Sequence, residues 1–187
     1  MNRRSYFGIR DAFTLIELCA VVVVIGILAG VSFPVYLQFR SKAEAVSCAA
    51  NMRVLYGGVA AYVQEHQAWP KIPKVQKKSD GGIQSGAAQE TATKWIAALK
   101  PYGVGEYTWR CPSVERDMRK HGKPDALKTP RLDYTPTLFE GGALAPYQWT
   151  THPWFIERGS AHGKGPLIIL ADGTVVTVED LMRLTGK

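Results

Sequence analysis

Residues 12–37 read AFTLIELCAVVVVIGILAGVSFPVYL, and this stretch decides the fold class. From residue 18 onward it belongs to a run of 22 uncharged residues, 18–39. A helix needs about 20 apolar residues to cross the hydrocarbon layer of a membrane. Valine and isoleucine are weak helix formers in water, but in lipid the backbone must satisfy its own hydrogen bonds, which imposes the helix. The run therefore predicts a single membrane anchor. A buried core helix is the less favoured alternative, because core helices are usually shorter.

The charges that flank the run predict its orientation. Three arginines precede it and one aspartate opposes them, whereas Arg40 and Lys42 follow it with one glutamate nearby. Basic residues favour the cytoplasmic side, so we expect the N-terminus in the cytoplasm and everything from Arg40 onward outside it. A secretory signal peptide explains the run less well, because its apolar core spans about 7–15 residues and ends at a cleavage site of small residues.

The residues at the start of the run are more specific than its hydrophobicity. Residues 12–18, AFTLIEL, followed by the apolar run with Pro34, resemble the N-terminal segment of type IV pilins and type II secretion pseudopilins. The resemblance implies that a prepilin peptidase cuts between Ala12 and Phe13 on the cytoplasmic side and methylates the new amino terminus at Phe13. The family usually has glycine before the cut, and this chain departs from that pattern with Ala12.

Glu17 would be the fifth residue of the mature chain, and the resemblance implies that it pairs with the amino terminus of a neighbouring subunit during assembly. An unpaired carboxylate drawn to mid-bilayer costs about 2.5–3.5 kcal/mol, so it favours a cationic partner. The alternative is an interfacial carboxylate on an uncut anchor. The resemblance also implies a single-pass protein of the inner membrane with a periplasmic C-terminal domain. Its partners would be prepilin peptidase, other pseudopilin subunits, an inner-membrane assembly platform and membrane lipid.

Helical periodicity continues beyond the run. Apolar residues recur every three or four positions over residues 45–63, which predicts an amphipathic helix that ends near His66. Pro34 lacks an amide hydrogen and clashes with the preceding turn, so we expect a kink there. The resemblance adds that residues 26–34 can unwind when subunits stack. Gly57-Gly58 marks either a close-packing site or a flexible point, and the sequence leaves both open.

Beyond the helix the sequence predicts a loop-rich domain with short strands. Residues 69–91 hold prolines, glycines and a lysine cluster without interleaved aromatic residues, which favours a solvated loop over a nucleic-acid surface. A short helix capped by Thr91 or Thr93 is predicted next, followed by strands at residues 107–111, 134–138 and 147–154 and a surface excursion over residues 115–131. Residues 167–171 and 174–178 are predicted to form a hairpin with a two-residue turn at Asp172-Gly173. A helical turn at residues 179–184 is the last predicted element.

The fold class is therefore α+β and pilin-like, with a long N-terminal helix packed on a small antiparallel β-sheet with long loops. We expect a cytoplasmic leader at residues 1–12, a transmembrane and assembly half of the helix at residues 13–37, an amphipathic half at residues 38–68 and a loop-rich β domain at residues 69–187.

Three short motifs narrow the resemblance. Residues 48–53 read CAANMR, residues 111–113 read CPS, and His162 is followed after nine residues by Asp172-Gly173. They are similar to the C-x-x-N-L-R, C-P-S and H-x9-D-G segments of pseudopilin-like proteins of the planctomycete and verrucomicrobial type. A hairpin turn explains Asp172-Gly173 more simply than a catalytic role with His162 does.

The predicted topology places the three cysteines in two different environments. Cys19 lies in the span, whereas Cys48 and Cys111 would both lie in an oxidising compartment. Cys48 falls on the apolar stripe of the helix that the sheet must cover, so we expect a disulfide with Cys111, with two free buried thiols as the alternative. The bond would close a loop of 64 residues and contribute about 4 kcal/mol in the chain-entropy model.

Enzyme chemistry has little support in the chain of 187 residues, whose net charge is +7. The four histidines show no H-E-x-x-H spacing, no cysteines are two residues apart, and no G-x-S-x-G is present. We therefore expect no catalytic residue, no metal and no cofactor. The predicted function is that of a structural pseudopilin in a type II secretion-like envelope filament. A type IV pilus-like subunit for DNA uptake or adhesion is the alternative, since the basic charge is compatible with DNA contact without requiring it.

Overall fold

The computed structural model describes residues 14–72, 86–122, 128–140, 142, 144–159 and 165–185. The chain divides into two compact units, Met1–Arg40 and Ser41–Lys187, and the first helix contributes to both. The helices are α1 (Leu15–His66), α2 (Ala87–Leu99), α3 (Pro112–Lys120) and α4 (Val178–Thr185). The strands are β1 (Tyr134–Pro136), β2 (Phe155–Glu157), β3 (Leu167–Ile169) and β4 (Val175–Thr177). Short 3-10 helices cover Lys100–Tyr102, Glu106–Trp109 and Ala145–Tyr147.

Helix α1 is assigned without interruption through Gly26, Gly30 and Pro34. It ends at His66, as predicted, and the next residue, Gln67, has a φ of 52°. A left-handed residue directly after a helix redirects the chain, and the Gln67 amide donates to the Val63 carbonyl at 2.9 Å.

The core of the second unit is built on the apolar stripe of α1. Five stripe residues are at most 2% exposed, namely Cys48, Met52, Leu55, Val59 and Val63. Large aromatic side chains from the other elements cover this stripe, and their rings contact one another edge to face or tilted: Trp69, Trp95, Trp109, Trp154 and Phe155. Aromatic rings bury a large area each, which lets a domain with short strands form a dense core.

The sheet is antiparallel throughout, in the order β1-β2-β3-β4. The predicted C-terminal hairpin is confirmed as β3 and β4, but its turn has three residues, not two. The Leu170 amide donates to the Thr174 carbonyl at 3.0 Å, which leaves Ala171, Asp172 and Gly173 in the loop. A two-residue type I′ turn needs positive φ at both positions, whereas here Gly173, at φ 80°, is the only one of the three with positive φ.

The segment between α2 and the sheet differs from the prediction at one element and contains one helix that was not predicted. Residues 107–111 are not a strand, because Glu106–Trp109 forms a 3-10 helix that inserts the fully buried Trp109 into the core. The predicted surface excursion over residues 115–131 begins within α3, a helix that the sequence did not predict. Pro112 occupies the first turn of α3, where its missing amide hydrogen is not needed. Within α3, Asp117, Arg119 and Lys120 are exposed, and Arg116 forms an ion pair with Glu44 of α1.

Two further boundaries differ from the prediction. Residues 147–154 are not a strand, and strand β2 begins directly after them at Phe155. Pro146 lies in a 3-10 turn there, and its carbonyl accepts a hydrogen bond from the buried Trp154 indole at 3.1 Å. Helix α2 begins at Ala87, after Gly86, and not at Thr91 or Thr93. The predicted fold class is confirmed: a long N-terminal helix with a small four-stranded antiparallel sheet in a pilin-like α+β architecture.

Candidate assembly segment and cysteine cluster

The N-terminus of α1 is closed by a capping box. The Glu17 carboxylate accepts hydrogen bonds from the Thr14 amide at 2.9 Å and the Thr14 hydroxyl at 2.7 Å. In return the Glu17 amide donates to Thr14 Oγ1 at 3.4 Å. This reciprocal pairing of threonine with a glutamate three residues later satisfies backbone donors that a helix start leaves open. Glu17 is exposed, so its carboxylate is accessible to another chain.

The first half of α1 presents apolar side chains on every side. We call residues 15–39 the apolar segment. The large apolar side chains that the structure describes in this segment are 47–81% exposed, and they are Leu15, Ile16, Leu18, Val21, Val22, Val23, Val24, Ile25, Ile27, Leu28, Val31, Phe33, Val35, Tyr36 and Phe39. The helix is long and apolar enough to cross a membrane. A helix that is apolar all round requires lipid or other protein around it.

Some of the residues predicted from the sequence lie outside the described part of the chain. Ala12 and Phe13 of the predicted cleavage site and His162 of the C-terminal motif belong to this group. Pro34 is placed within α1.

The structure brings Cys48 and Cys111 together. Their Sγ atoms and a carboxylate oxygen of Glu157 all lie within 4.8 Å of one another, and no bond joins the two sulfurs. The Cys111 thiol donates to Glu157 Oε1 at 3.0 Å, and Glu157 Oε2 accepts from the Leu167 amide at 3.1 Å. We call Cys48, Cys111 and Glu157 the cysteine cluster. Both cysteines are fully buried, and Glu157 is 2% exposed. The disulfide between the two cysteines stays a prediction.

Polar side chains hold the backbone next to the cluster. The Asp133 carboxylate accepts from the Cys111 amide at 2.8 Å, and Arg131 pairs with Asp133 at 3.0 Å. Asn51 of the first motif donates to the Arg110 carbonyl at 3.0 Å. The first two motifs therefore meet in space, because Asn51 anchors the residue that precedes the CPS segment.

Hydrogen bonding separates the acidities of the two thiols. The hydrogen bond to Cys111, together with burial, raises the pKa of Cys48. The hydrogen bond from Cys48 lowers the pKa of Cys111, so the Cys111 thiol loses its proton first. Burial raises the pKa of the neighbouring Tyr134 hydroxyl, which stays protonated and can donate.

Asp172-Gly173 forms a turn that packs on α1. Asp172 Oδ1 accepts from the Thr174 amide at 2.8 Å, and this hydrogen bond lowers the pKa of the Asp172 carboxyl. The Tyr56 hydroxyl of α1 donates to the Ala171 carbonyl at 2.9 Å, and a Cβ added to Gly173 would lie 3.3 Å from the Tyr56 ring. The positive φ and the close ring both favour glycine at this position.

Sequence reasoning missed Glu157 and Asp133. Glu157 could have been found from alternation, because β2 places Phe155 and Glu157 on the same buried side. The strand was predicted at residues 147–154, however, so the alternation at Phe155 and Glu157 was not considered. Asp133 has no comparable signal, since its role depends on an amide distant in sequence.

Comparison with known proteins gives the family. No protein-family model matches the chain, and no solved structure matches it significantly. Over 134 residues the chain is 27% identical to the type IV major pilin protein PilE of Neisseria gonorrhoeae, covering 71% of this chain and 75% of that protein. It is 32% identical over 134 residues to a fimbrial protein of Neisseria meningitidis serogroup A, covering 71% and 74%.

The chain belongs to the type IV pilin family.

A further relative in the type IV pilin family is the type IV major pilin protein PilA of Myxococcus xanthus. The match is 36% identical over 64 residues, which is 34% of this chain and 29% of that protein. These relatives are structural pilins rather than enzymes. The exposed apolar segment is an N-terminal helix that could anchor a type IV pilin family member in a membrane.

Proposed function

We propose that this chain is a pseudopilin, a structural subunit of a type II secretion-like envelope filament. The observation that carries the proposal is the apolar segment of α1, which is exposed on all sides and begins at a capped, accessible glutamate. Such a segment stays in lipid before assembly and packs against other subunits afterwards. The CAANMR and CPS motifs support the interpretation as a pseudopilin, because they resemble segments of pseudopilin-like proteins and lie together at the cysteine cluster.

Processing and topology complete the proposal. A prepilin peptidase removes residues 1–12 and methylates Phe13, and until assembly the mature chain lies in the inner membrane with its C-terminal domain in the periplasm. The flanking arginines support this orientation. An inner-membrane assembly platform then extracts the subunit, and Glu17 pairs with the α-amino group of a neighbouring chain. That pairing neutralises two charges at the edge of an apolar environment.

A type IV pilus-like subunit is the second candidate. The observation that favours it is that relatives matched along most of their length are named major pilins or fimbrial proteins. A pilus extends from the cell surface, whereas a secretion filament stays within the envelope, so the location of the chain distinguishes the two.

Deletion of the gene, with complementation, tests the proposal. We expect the chain to stay in the envelope fraction after shearing, and the deletion to remove a set of exported proteins from the culture medium. Recovery of the chain in sheared surface filaments, with an unchanged medium, would assign it to a pilus instead. Mass spectrometry of the membrane-extracted chain should show N-methylated Phe13 at the amino terminus; an intact Met1 leader would contradict the processing step.

A further inference from the structure

The cysteine cluster joins three parts of the second unit. Cys48 lies on α1, Cys111 directly precedes α3, and Glu157 ends β2. Residues 48 and 111 are 63 positions apart in the sequence, yet their sulfurs lie within 4.8 Å. Both are fully buried, so the contact belongs to the packed core and not to a mobile surface.

The surroundings orient Cys111 toward Cys48. The Cys111 amide is held by the Asp133 carboxylate at 2.8 Å, and the preceding Arg110 carbonyl is held by Asn51 at 3.0 Å. Asn51 lies one helical turn from Cys48 on the same helix, so this contact fixes the distance between α1 and the CPS segment. With the backbone held in this way, the Cys111 thiol donates to Glu157 Oε1 at 3.0 Å and lies within 4.8 Å of the Cys48 sulfur.

We propose that Cys48 and Cys111 are joined by a disulfide in the mature protein, and that Glu157 is the positioning residue that accepts the Cys111 proton as the bond forms. The proposal rests on the periplasmic placement given under Proposed function, because a disulfide persists in an oxidising compartment. Since neither sulfur is accessible in the folded domain, the bond forms while the domain folds.

The chemistry is thiol–disulfide exchange with a disulfide oxidant, either a protein disulfide or glutathione disulfide. In the open chain the two thiols do not yet contact each other, so the hydrogen bond that raises the pKa of Cys48 in the folded cluster is absent. The Cys48 thiolate then attacks the oxidant, forms a mixed disulfide and releases one thiolate of the oxidant. As α1 and β2 pack, Glu157 Oε1, which lies 3.0 Å from Cys111 Sγ, takes the proton of that thiol. The Cys111 thiolate then attacks Cys48 Sγ and expels the second oxidant thiolate. Two thiols are oxidised, and the oxidant is reduced to two thiols.

The first test counts thiols in the full-length chain, purified from membranes in detergent, denatured without reductant and treated with a thiol-alkylating reagent. We expect one alkylated thiol per chain, that of Cys19, and a Cys48–Cys111 peptide pair in mass spectrometry. Three alkylated thiols per chain would overturn the disulfide. One zinc per chain together with three thiols would assign the cluster to a metal instead, since two thiolates and a carboxylate suit that ion. Protease accessibility of the C-terminal domain in spheroplasts, measured on the same strain, reports the placement separately, so failure of the disulfide is distinguishable from failure of the proposed function.

The second test addresses Glu157 through the pH profile of oxidation. The reduced full-length chain with Cys19→Ala is refolded in detergent with glutathione disulfide between pH 6 and 8. At pH 7 we expect Glu157→Gln to oxidise on the order of tenfold more slowly, because a glutamine cannot accept the proton and only the small ionised fraction of the thiol reacts. The rate of this variant should also rise more steeply with pH.

Two variants control this test. Glu140→Gln makes the same change at an exposed glutamate and should match the parent in rate and pH profile. Glu157→Asp retains a base and should recover part of the rate. A Glu157→Gln rate and pH profile equal to those of the parent would overturn the role of Glu157, whereas the thiol count tests the disulfide whether or not that variant folds.

Discussion

At the residue scale, Glu17 combines a role in its own helix with a proposed role between subunits. In the isolated chain its carboxylate closes the capping box with Thr14. In a filament the same group would meet the amino terminus of a neighbour. The two roles need different properties, because capping needs only a hydrogen-bond acceptor, whereas pairing with an amino group needs a negative charge.

Two substitutions separate these roles. Glutamine also serves in a capping box, so Glu17→Gln keeps the acceptor and removes the charge, while Glu17→Ala removes both. We expect both variants to insert into the membrane and both to lose incorporation into filaments, as measured by crosslinking and filament recovery. Glu140→Ala, at an exposed position of the second unit, is the control and should assemble normally. Normal incorporation of Glu17→Gln would mean that the cap, and not the charge, is what assembly requires.

At the scale of the element, the two glycines of α1, Gly57 and Gly58, lie in different surroundings. The sequence left open whether this pair is a close-packing site or a flexible point. A Cβ added at Gly58 would lie 2.3 Å from Val104 Cγ2, whereas a Cβ added at Gly57 would meet nothing within 4 Å. Gly58 is therefore a close-packing site, where the loop after α2 lies against α1. Gly57 is exposed and has no such contact.

Alanine at these adjacent positions should have opposite effects on the free energy of unfolding. Gly58→Ala should lower it by about 1–3 kcal/mol, because the added Cβ overlaps with the buried Val104, which must shift within a packed core. Gly57→Ala should raise it by up to about 1 kcal/mol, because alanine favours a helix interior over glycine. Denaturant unfolding of the full chain in detergent, followed by tryptophan fluorescence, measures both. Val104→Ala should relieve part of the Gly58→Ala defect; equal effects of the two glycine substitutions would contradict the close contact.

At the scale of the whole molecule, the two units differ in how their apolar side chains are exposed. In the first unit the large apolar side chains are exposed along the helix, whereas in the second unit the apolar stripe of the same helix is covered by aromatic residues. One helix is therefore apolar enough to cross a membrane in its first half and carries the core of a folded domain in its second. The length of α1, 52 residues, is what permits both.

Charge insertion should distinguish the halves. Val24→Lys and Leu28→Lys change residues within the apolar segment, and each should cost about 2.5–3.5 kcal/mol of membrane insertion. Most of the chain that carries both should therefore become extractable by alkaline carbonate. Val46→Lys and Val54→Lys change residues that are 69% and 46% exposed in the second unit, and the chain that carries both should stay in the carbonate-resistant membrane fraction. Equal extraction of the two variants would contradict the assignment of the first half as the anchor.

Much of the fold was predictable because it depends on patterns that are local in the chain. The uncharged run, the apolar period over residues 45–63 and the two strand-like runs on either side of Asp172-Gly173 each predict one element. Those elements appear as α1, its buried stripe and the β3–β4 hairpin. The capping box at Thr14 and Glu17 follows the same logic, since its two residues are three positions apart.

The sequence by itself determined that the first helix begins with a segment long and apolar enough to cross a membrane, where this helix ends, and the fold class. Hydrophobicity and periodicity act over neighbouring residues, so they can be read without the tertiary structure. Only the tertiary structure decided that Trp109 enters the core from a 3-10 helix, that Gly58 lies against Val104, and that Glu157 lies next to Cys48 and Cys111. These contacts link residues tens of positions apart, and local propensity carries no information about them. In residues 107–111 the strand propensity of the aromatic residues was overridden, because the burial of Trp109 outweighs a preference that spans only about 1 kcal/mol.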